Sequence, residues 1–178
     1  YSYLENENIF LESTSSMVFD RVNSIAYVTL SPRADKSLAE KWCSENGYFP
    51  MIFETESHTG QSIYHTDVLM YVGTEMIGIC LDVIKEPFRN DVKKLVERTH
   101  DLMEIESPQL LSFCGNCLEV INKNKEPLLV MSSRSESALT KVQRDKINRF
   151  YKQIIHSDLT TIEKYGGGSA RCMLSELF

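Results

Sequence analysis

Nowhere in these 178 residues does an apolar run approach the roughly 20 residues that a membrane-spanning helix needs. A basic surplus is missing as well. The 19 Lys and Arg stand against 25 Asp and Glu, for a formal net charge of -6, and no basic stripe interleaves with aromatics. That argues against a nucleic-acid partner. There is no secretory signal peptide, so the default compartment is reducing: the cytoplasm or the interior of an organelle. Cysteines are few and odd in number. Cys43, Cys80, Cys114, Cys117 and Cys172 mostly sit inside apolar or amphipathic runs, as free thiols do, not in the loops of a disulfide scaffold. The first residue is Tyr1 rather than Met, as in a processed chain, a truncated one or part of a longer product. The length and the hydrophobic share suit one soluble domain over 1–178 with a real core.

What is present falls into a repeated unit. Residues 16–19 read as a strand, Asp20-Arg21-Val22-Asn23 as a turn and 25–30 as a second strand. Pro32 and Asp35 introduce a helix over 36–46, with Leu38, Ala39 and Trp42 on one face. Gly47 closes it, and 48–53 is a third strand. The order strand, strand, helix, strand returns over 68–72, 76–81, 87–99 and 102–105, with Val92, Leu95 and Val96 as the apolar face of the helix. It returns again over 117–121, 128–131, 138–151 and 153–156. A short helix at 159–164 leads to Gly166-Gly167-Gly168, and a strand from 173 would open a fourth unit. The fold class is α/β. A period of roughly 50 residues is one at which repeats build propellers or solenoids. No single unit can bury its apolar face alone, so the units pack side by side.

Packing about a pseudo-rotation axis brings equivalent positions together. The segments at or just before each first strand are 12–16, 65–67, 115–117 and 169–172. Glu12, His65, Asp67 and Cys172 would then share a pocket, a carboxylate–histidine–cysteine set suited to nucleophilic catalysis. The stretch Gly166-Gly167-Gly168-Ser169-Ala170-Arg171-Cys172 delivers the cysteine onto the expected strand, beside an arginine whose charge favours thiolate. Taken alone, each residue has an ordinary reading: a buried inert cysteine, a hydrogen-bonded structural histidine, a solvated acid. His65 and Asp67, two apart at a strand start, would lie on one side. Asn116 reads as a turn or backbone-bonding residue. Cys114-x-x-Cys117 is a weak candidate redox pair or half zinc site, with no second pair at zinc spacing nearby. Residues 132–135 read as a loop into a helix. The charged helix residues, Arg144-Asp145-Lys146 included, read as solvated faces.

Ile9-Phe10-Leu11-Glu12, Tyr64-His65-Thr66-Asp67, Gly115-Asn116-Cys117-Leu118-Glu119 and Gly167-Gly168-Ser169-Ala170-Arg171-Cys172-Met173 resemble the pentein superfamily of arginine deiminases, dimethylarginine hydrolases and amidinotransferases. Within it the chain looks most similar to the citrulline-utilisation hydrolase type of amidinotransferase. The resemblance implies an α/β propeller of five ββαβ modules. About three are here, over roughly 9–54, 64–106 and 113–157 with a closing strand at 169–177, which is the C-terminal part of such a propeller. It implies a cysteine-dependent hydrolase or amidinotransferase acting on C–N bonds of arginine- or citrulline-like guanidino or ureido compounds. Cys172 would attack the amidino carbon, His65 would serve as general acid and then base, and Asp67 and Glu12 would bind the guanidinium. No cofactor and no metal are implied. Where relatives carry Leu-Glu-Gly-x-Gly, this chain has Ser13 and Ser15, which predicts a reshaped loop after Glu12. The competing expectation is an inactive propeller remnant serving as a structural subunit. Its open sheet edges would be met by a second copy or by another chain carrying the remaining modules.

Overall fold

The computed structural model describes residues 1–12 and 14–175. Three sheets follow one another, each of three strands. The first holds β1 (Met17–Asp20), β2 (Ile25–Thr29) and β3 (Phe49–Phe53), with α1 (Lys36–Asn46) between β2 and β3. After α2 (Thr66–Leu69) comes the second sheet, β4 (Met70–Val72), β5 (Met76–Ile79) and β6 (Asp101–Glu104), crossed by α3 (Phe88–Thr99). After α4 (Ser107–Leu110) comes the third, β7 (Leu118–Ile121), β8 (Pro127–Ser132) and β9 (Gln153–Ser157), with α5 (Ser133–Ala138) and α6 (Lys141–Phe150) in the crossover. In every sheet the first two strands pair antiparallel and the last two parallel. A tight turn suffices for the first step, whereas a parallel return needs a helix. The ββαβ repeat of the sequence is therefore the repeat of the fold.

One core cluster runs through all three sheets, from Val18 and Tyr27 through Met70, Ile77 and Val96 to Leu129, Ile147 and Tyr151. A smaller one on the outer face of the first sheet holds Met17, Val28, Ala34 and Ala39, with Trp42 and Phe19 packed against it. Thr66 stitches the first unit to the second. Its buried hydroxyl donates to the Ser16 carbonyl (2.6 Å) and accepts from the Thr29 amide (2.9 Å).

Four expectations are corrected. Residues 66–69 form a helical turn, and the strand begins only at Met70. The Thr66 hydrogen bonds, with the Asp67 amide on the Ser15 carbonyl (3.2 Å), bind this segment to the first unit before it can join a ladder. The single helix over 138–151 is two, because Leu139 is extended and Thr140 begins α6 with a reciprocal cap to Gln143. Residues 133–138 are helical, with Ser132 capping through the Ser135 amide. Arg171–Met173 is a 3-10 turn and Leu174–Ser175 is not in a strand; the rest of that expected strand, residues 176–178, lies outside the described residues. Charges read as solvated also do structural work. Lys146 donates to the Leu102 carbonyl (2.6 Å) and pairs with Asp101, and Arg144 pairs with Glu136. Among the described residues no helix is long and apolar enough to cross a membrane.

Candidate active site

The segments at or before the first strands do converge. Asn116 donates to the Asp67 carbonyl, the Arg171 amide reaches the Asn116 side chain, and His65 meets Glu12. The four expected residues form two pairs. In one, His65 Nε2 lies 3.2 Å from Glu12 Oε2. A carboxylate only accepts, so Nε2 carries the proton of that bond. The His65 ring is nearly buried and packs tilted, at 60°, against Tyr64 with centroids 4.9 Å apart. Glu12 also faces Arg33 Nη1 at 3.6 Å, and the Arg33 guanidinium lies over the Tyr64 ring. Of the loop after Glu12, Ser13 lies outside the described residues; the Ser15 carbonyl serves the Asp67 amide.

In the other pair, Cys172 Sγ lies 3.5 Å from Asp67 Oδ2. Asp67 is buried, and its Oδ1 has no hydrogen-bond partner among the described residues. Burial pushes its carboxyl above the usual range, against the opposing pull of the Ser15 and Cys172 side chains and of the His65 and Arg171 charges. His65 and Asp67 flank Thr66, so one short segment, fixed to the first unit, carries a member of each pair.

Cys172 is exposed, whereas Cys43, Cys80, Cys114 and Cys117 are buried and all five are free thiols. Its thiol is nonetheless pushed up, by partial burial first and then by the Asp67 charge. The Arg171 guanidinium donates to the Leu174 carbonyl (3.3 Å), and its charge pulls the Asp67 carboxyl down. Burial raises Cys114 and Cys117 as well, and each sulfur donates to a carbonyl, of Ser135 and Cys114 respectively. Among the described residues no group of three or more His, Cys, Asp or Glu could hold a metal ion.

The glycine stretch ahead of Cys172 is held rather than loose. Tyr64 Oη donates to the Gly167 carbonyl (2.8 Å), and the buried Ser169 hydroxyl donates to Glu163 of α7 (Thr160–Gly166) at 2.7 Å. At Gly168 a Cβ would lie 2.9 Å from Cys172 Cβ and 3.0 Å from Sγ, so a side chain there would push the sulfur out of place. Asn116, expected as a turn or backbone-bonding residue, does bond backbone, and the contact that sequence reasoning did not foresee is the one it makes with the sulfur. Its side chain touches Cys172 Sγ (3.2 Å), the Asp67 carbonyl (2.9 Å) and the Arg171 amide (3.0 Å). The available signal was its place in the third of the four converging segments.

A family model described as N,N dimethylarginine dimethylhydrolase, eukaryotic, matches residues 1–178. The chain belongs to this family. Dimethylarginine hydrolases are one branch of the superfamily whose motifs the sequence resembles. Among solved structures, this dimethylhydrolase-family chain is similar to ArgZ, an arginine dihydrolase from the ornithine-ammonia cycle in cyanobacteria. That match has 12% identity and a TM-score of 0.75 and covers 99% of this chain and 28% of ArgZ. The substrate-bound N-terminal domain of ArgZ matches at 13% identity and a TM-score of 0.72, covering 96% of this chain and 61% of that one. A dimethylarginine dimethylaminohydrolase, crystallised as an adduct with 4-chloro-2-hydroxymethylpyridine, matches at 16% identity and a TM-score of 0.56 over 91% of this chain and 58% of its own. The chain thus spans less than two thirds of each of these relatives, and the likeness establishes the shared α/β fold. No curated protein matches it in sequence.

Proposed function

We propose that this chain carries the nucleophile-bearing site of a hydrolase acting on the C–N bond of an arginine-like guanidino group. The observation that carries the reading is the Cys172–Asp67 contact at 3.5 Å, with the only exposed thiol among the five beside a buried carboxylate whose Oδ1 has no hydrogen-bond partner among the described residues. A guanidinium supplies N–H donors and positive charge together, and a carboxylate accepts two parallel N–H bonds. Docking on Asp67 therefore fills the open acceptor. It also neutralises the charge that holds the Cys172 thiol up, so the cation that is to be attacked helps release the thiol proton to solvent.

The sulfur electron pair then adds to the guanidino carbon. The C–N bond to the departing amine breaks as His65, entering protonated, gives its proton to that nitrogen. A covalent thiouronium remains on Cys172. Water gives a proton back to His65 and its hydroxyl to the carbon. The C–S bond breaks with its electron pair returning to Sγ, and loss of the hydroxyl proton leaves a ureido product. Glu12 holds the imidazole in orientation through Nε2. Resolution by an amine in place of water would make the same site an amidinotransferase. The finer placement, near the citrulline-utilisation type and in the C-terminal part of a larger propeller, rests on the His65-Thr66-Asp67 and Gly167 to Met173 motifs. An ArgZ N-terminal domain covalently bound to a reaction intermediate supports covalent chemistry on this fold.

The test is intact-mass analysis after brief exposure to a chloroacetamidine, a guanidine mimic that alkylates thiols. A single adduct on Cys172, absent in Cys172→Ser and slowed by added arginine, is the expected result. No adduct, or labelling that arginine does not slow, overturns the reading in favour of a structural subunit.

A further inference from the structure

We propose that Asn116 is a catalytic residue of this site, its side-chain amide donating a hydrogen bond to the Cys172 sulfur and holding that sulfur for attack. The inference rests on the reading of Cys172 as nucleophile. Asn116 is 1% exposed, so its polar atoms need partners inside the protein. Oδ1 accepts from the Arg171 amide (3.0 Å) and the Cys172 amide (3.4 Å). Nδ2 donates to the Asp67 carbonyl (2.9 Å) and to Cys172 Sγ (3.2 Å). The two ends of this amide cannot be exchanged. On one side are backbone N–H groups, which only donate; on the other is a backbone carbonyl, which only accepts. An N–H therefore faces the sulfur by necessity.

That arrangement balances Asp67. On one side of Sγ a carboxylate 3.5 Å away opposes negative charge; on another, the Asn116 amide favours it, as does the Ser169 backbone. A lysine or arginine at position 116 would stabilise thiolate more strongly but would neutralise Asp67 and repel a guanidinium. A neutral donor avoids both. It has no proton to lose near neutral pH, so it serves the sulfur equally when the thiolate first forms and when the C–S electron pair returns. Through Oδ1, Asn116 also fixes the 3-10 turn Arg171–Met173, so the donor and the backbone that presents the sulfur move as one.

The experiment is the pH dependence of Cys172 alkylation by iodoacetamide, followed by intact mass, in the native protein and in Asn116→Asp. Aspartate keeps an oxygen for the two backbone amides and replaces the donor with a negative charge. The midpoint should move to higher pH, and the rate at pH 7 should fall by about tenfold or more with the far-UV circular dichroism unchanged. An unmoved midpoint in folded Asn116→Asp overturns the proposal. Should that variant fail to fold, the native protein answers by NMR. The Asn116 side-chain amide protons should shift with the titration of Cys172 and cease to do so in Cys172→Ala; no shift in the native protein overturns the proposal. Both readouts follow the thiol, not turnover. A profile that depends on Asn116 without any amidine adduct would keep this inference and remove the guanidino substrate.

Discussion

Asp67 is a buried carboxyl of the candidate site, and on the proposed reading it is what gives that site a cationic preference. Its carboxyl is buried and pushed above the ordinary carboxylate range, so between the unfolded and folded values the native state holds more protons than the unfolded chain. Stability falls as pH rises through that window, which opens near the ordinary Asp value of 3.8. Asp67→Asn should therefore raise the melting temperature at pH 7, by roughly 1–2 kcal/mol of stability, and the gain should shrink towards pH 4. The same change should speed iodoacetamide labelling of Cys172 by roughly five- to tenfold, a figure discounted for solvent at the exposed sulfur, while slowing the amidine probe. Equal effects on the two reagents would remove Asp67 from substrate binding. His65, Asp67 and Cys172 were legible in the sequence because His-x-Asp and Gly-Gly-x-x-Arg-Cys-Met are local patterns, and Glu12 through Ile9-Phe10-Leu11-Glu12 and its place before the first strand. The electrostatic sign at the sulfur was not. Arg171 is adjacent to Cys172 in the chain, whereas Asp67, whose charge pushes the thiol up, arrives from 105 residues away. The backbone bonding of Asn116 was read from the sequence, but its contact with the sulfur was not, since that sulfur lies on another segment.

At the scale of elements, the loop that carries Asn116 is wedged against the turn that carries Asp67. Gly115 makes this possible: a Cβ there would lie 2.5 Å from the Val68 carbonyl oxygen and 2.6 Å from the Leu69 carbonyl carbon. Gly115→Ala must push the 113–116 loop away from α2, because backbone on the far side cannot rotate clear. The expected cost is roughly 1–3 kcal/mol by thermal melting, with slower amidine labelling of Cys172. A variant that melts as the native protein does, with unchanged labelling, would show that the two segments are not rigidly coupled. Elements with their own end signals were read correctly: α1 begins at the Asp35 cap on the Leu38 amide and ends at Gly47. The misread ones lack such independence. Residues 66–69 are helical only because Ser16 and Thr29 hold Thr66, and the break at Leu139 lay in a capping pair, Thr140 with Gln143, inside an otherwise periodic run.

Over the whole molecule the three sheets share one core, so they should melt together. Trp42, the only tryptophan, sits on the outer face of the first sheet and reports on that unit alone, whereas circular dichroism reports on all three. The two transitions should coincide. Thr66→Val, which leaves the Ser16 carbonyl and the Thr29 amide without their partner at the seam, should lower both together by roughly 2–4 kcal/mol. Separate transitions would mean that the units are only loosely joined. The repeat and the convergence of its leading segments followed from the period in the sequence; which partners meet at the seam required the coordinates. The spread of the site along the chain also bears on how activity arises in time. Each sheet closes over a few tens of residues, but the contacts of Cys172 with Asn116 and Asp67 span 56 and 105. Long-range contacts are the slow ones to form. A discriminating thiol at Cys172 therefore requires both of these long loops to be closed, so its reactivity profile is a mark of the whole assembly and not of any one sheet.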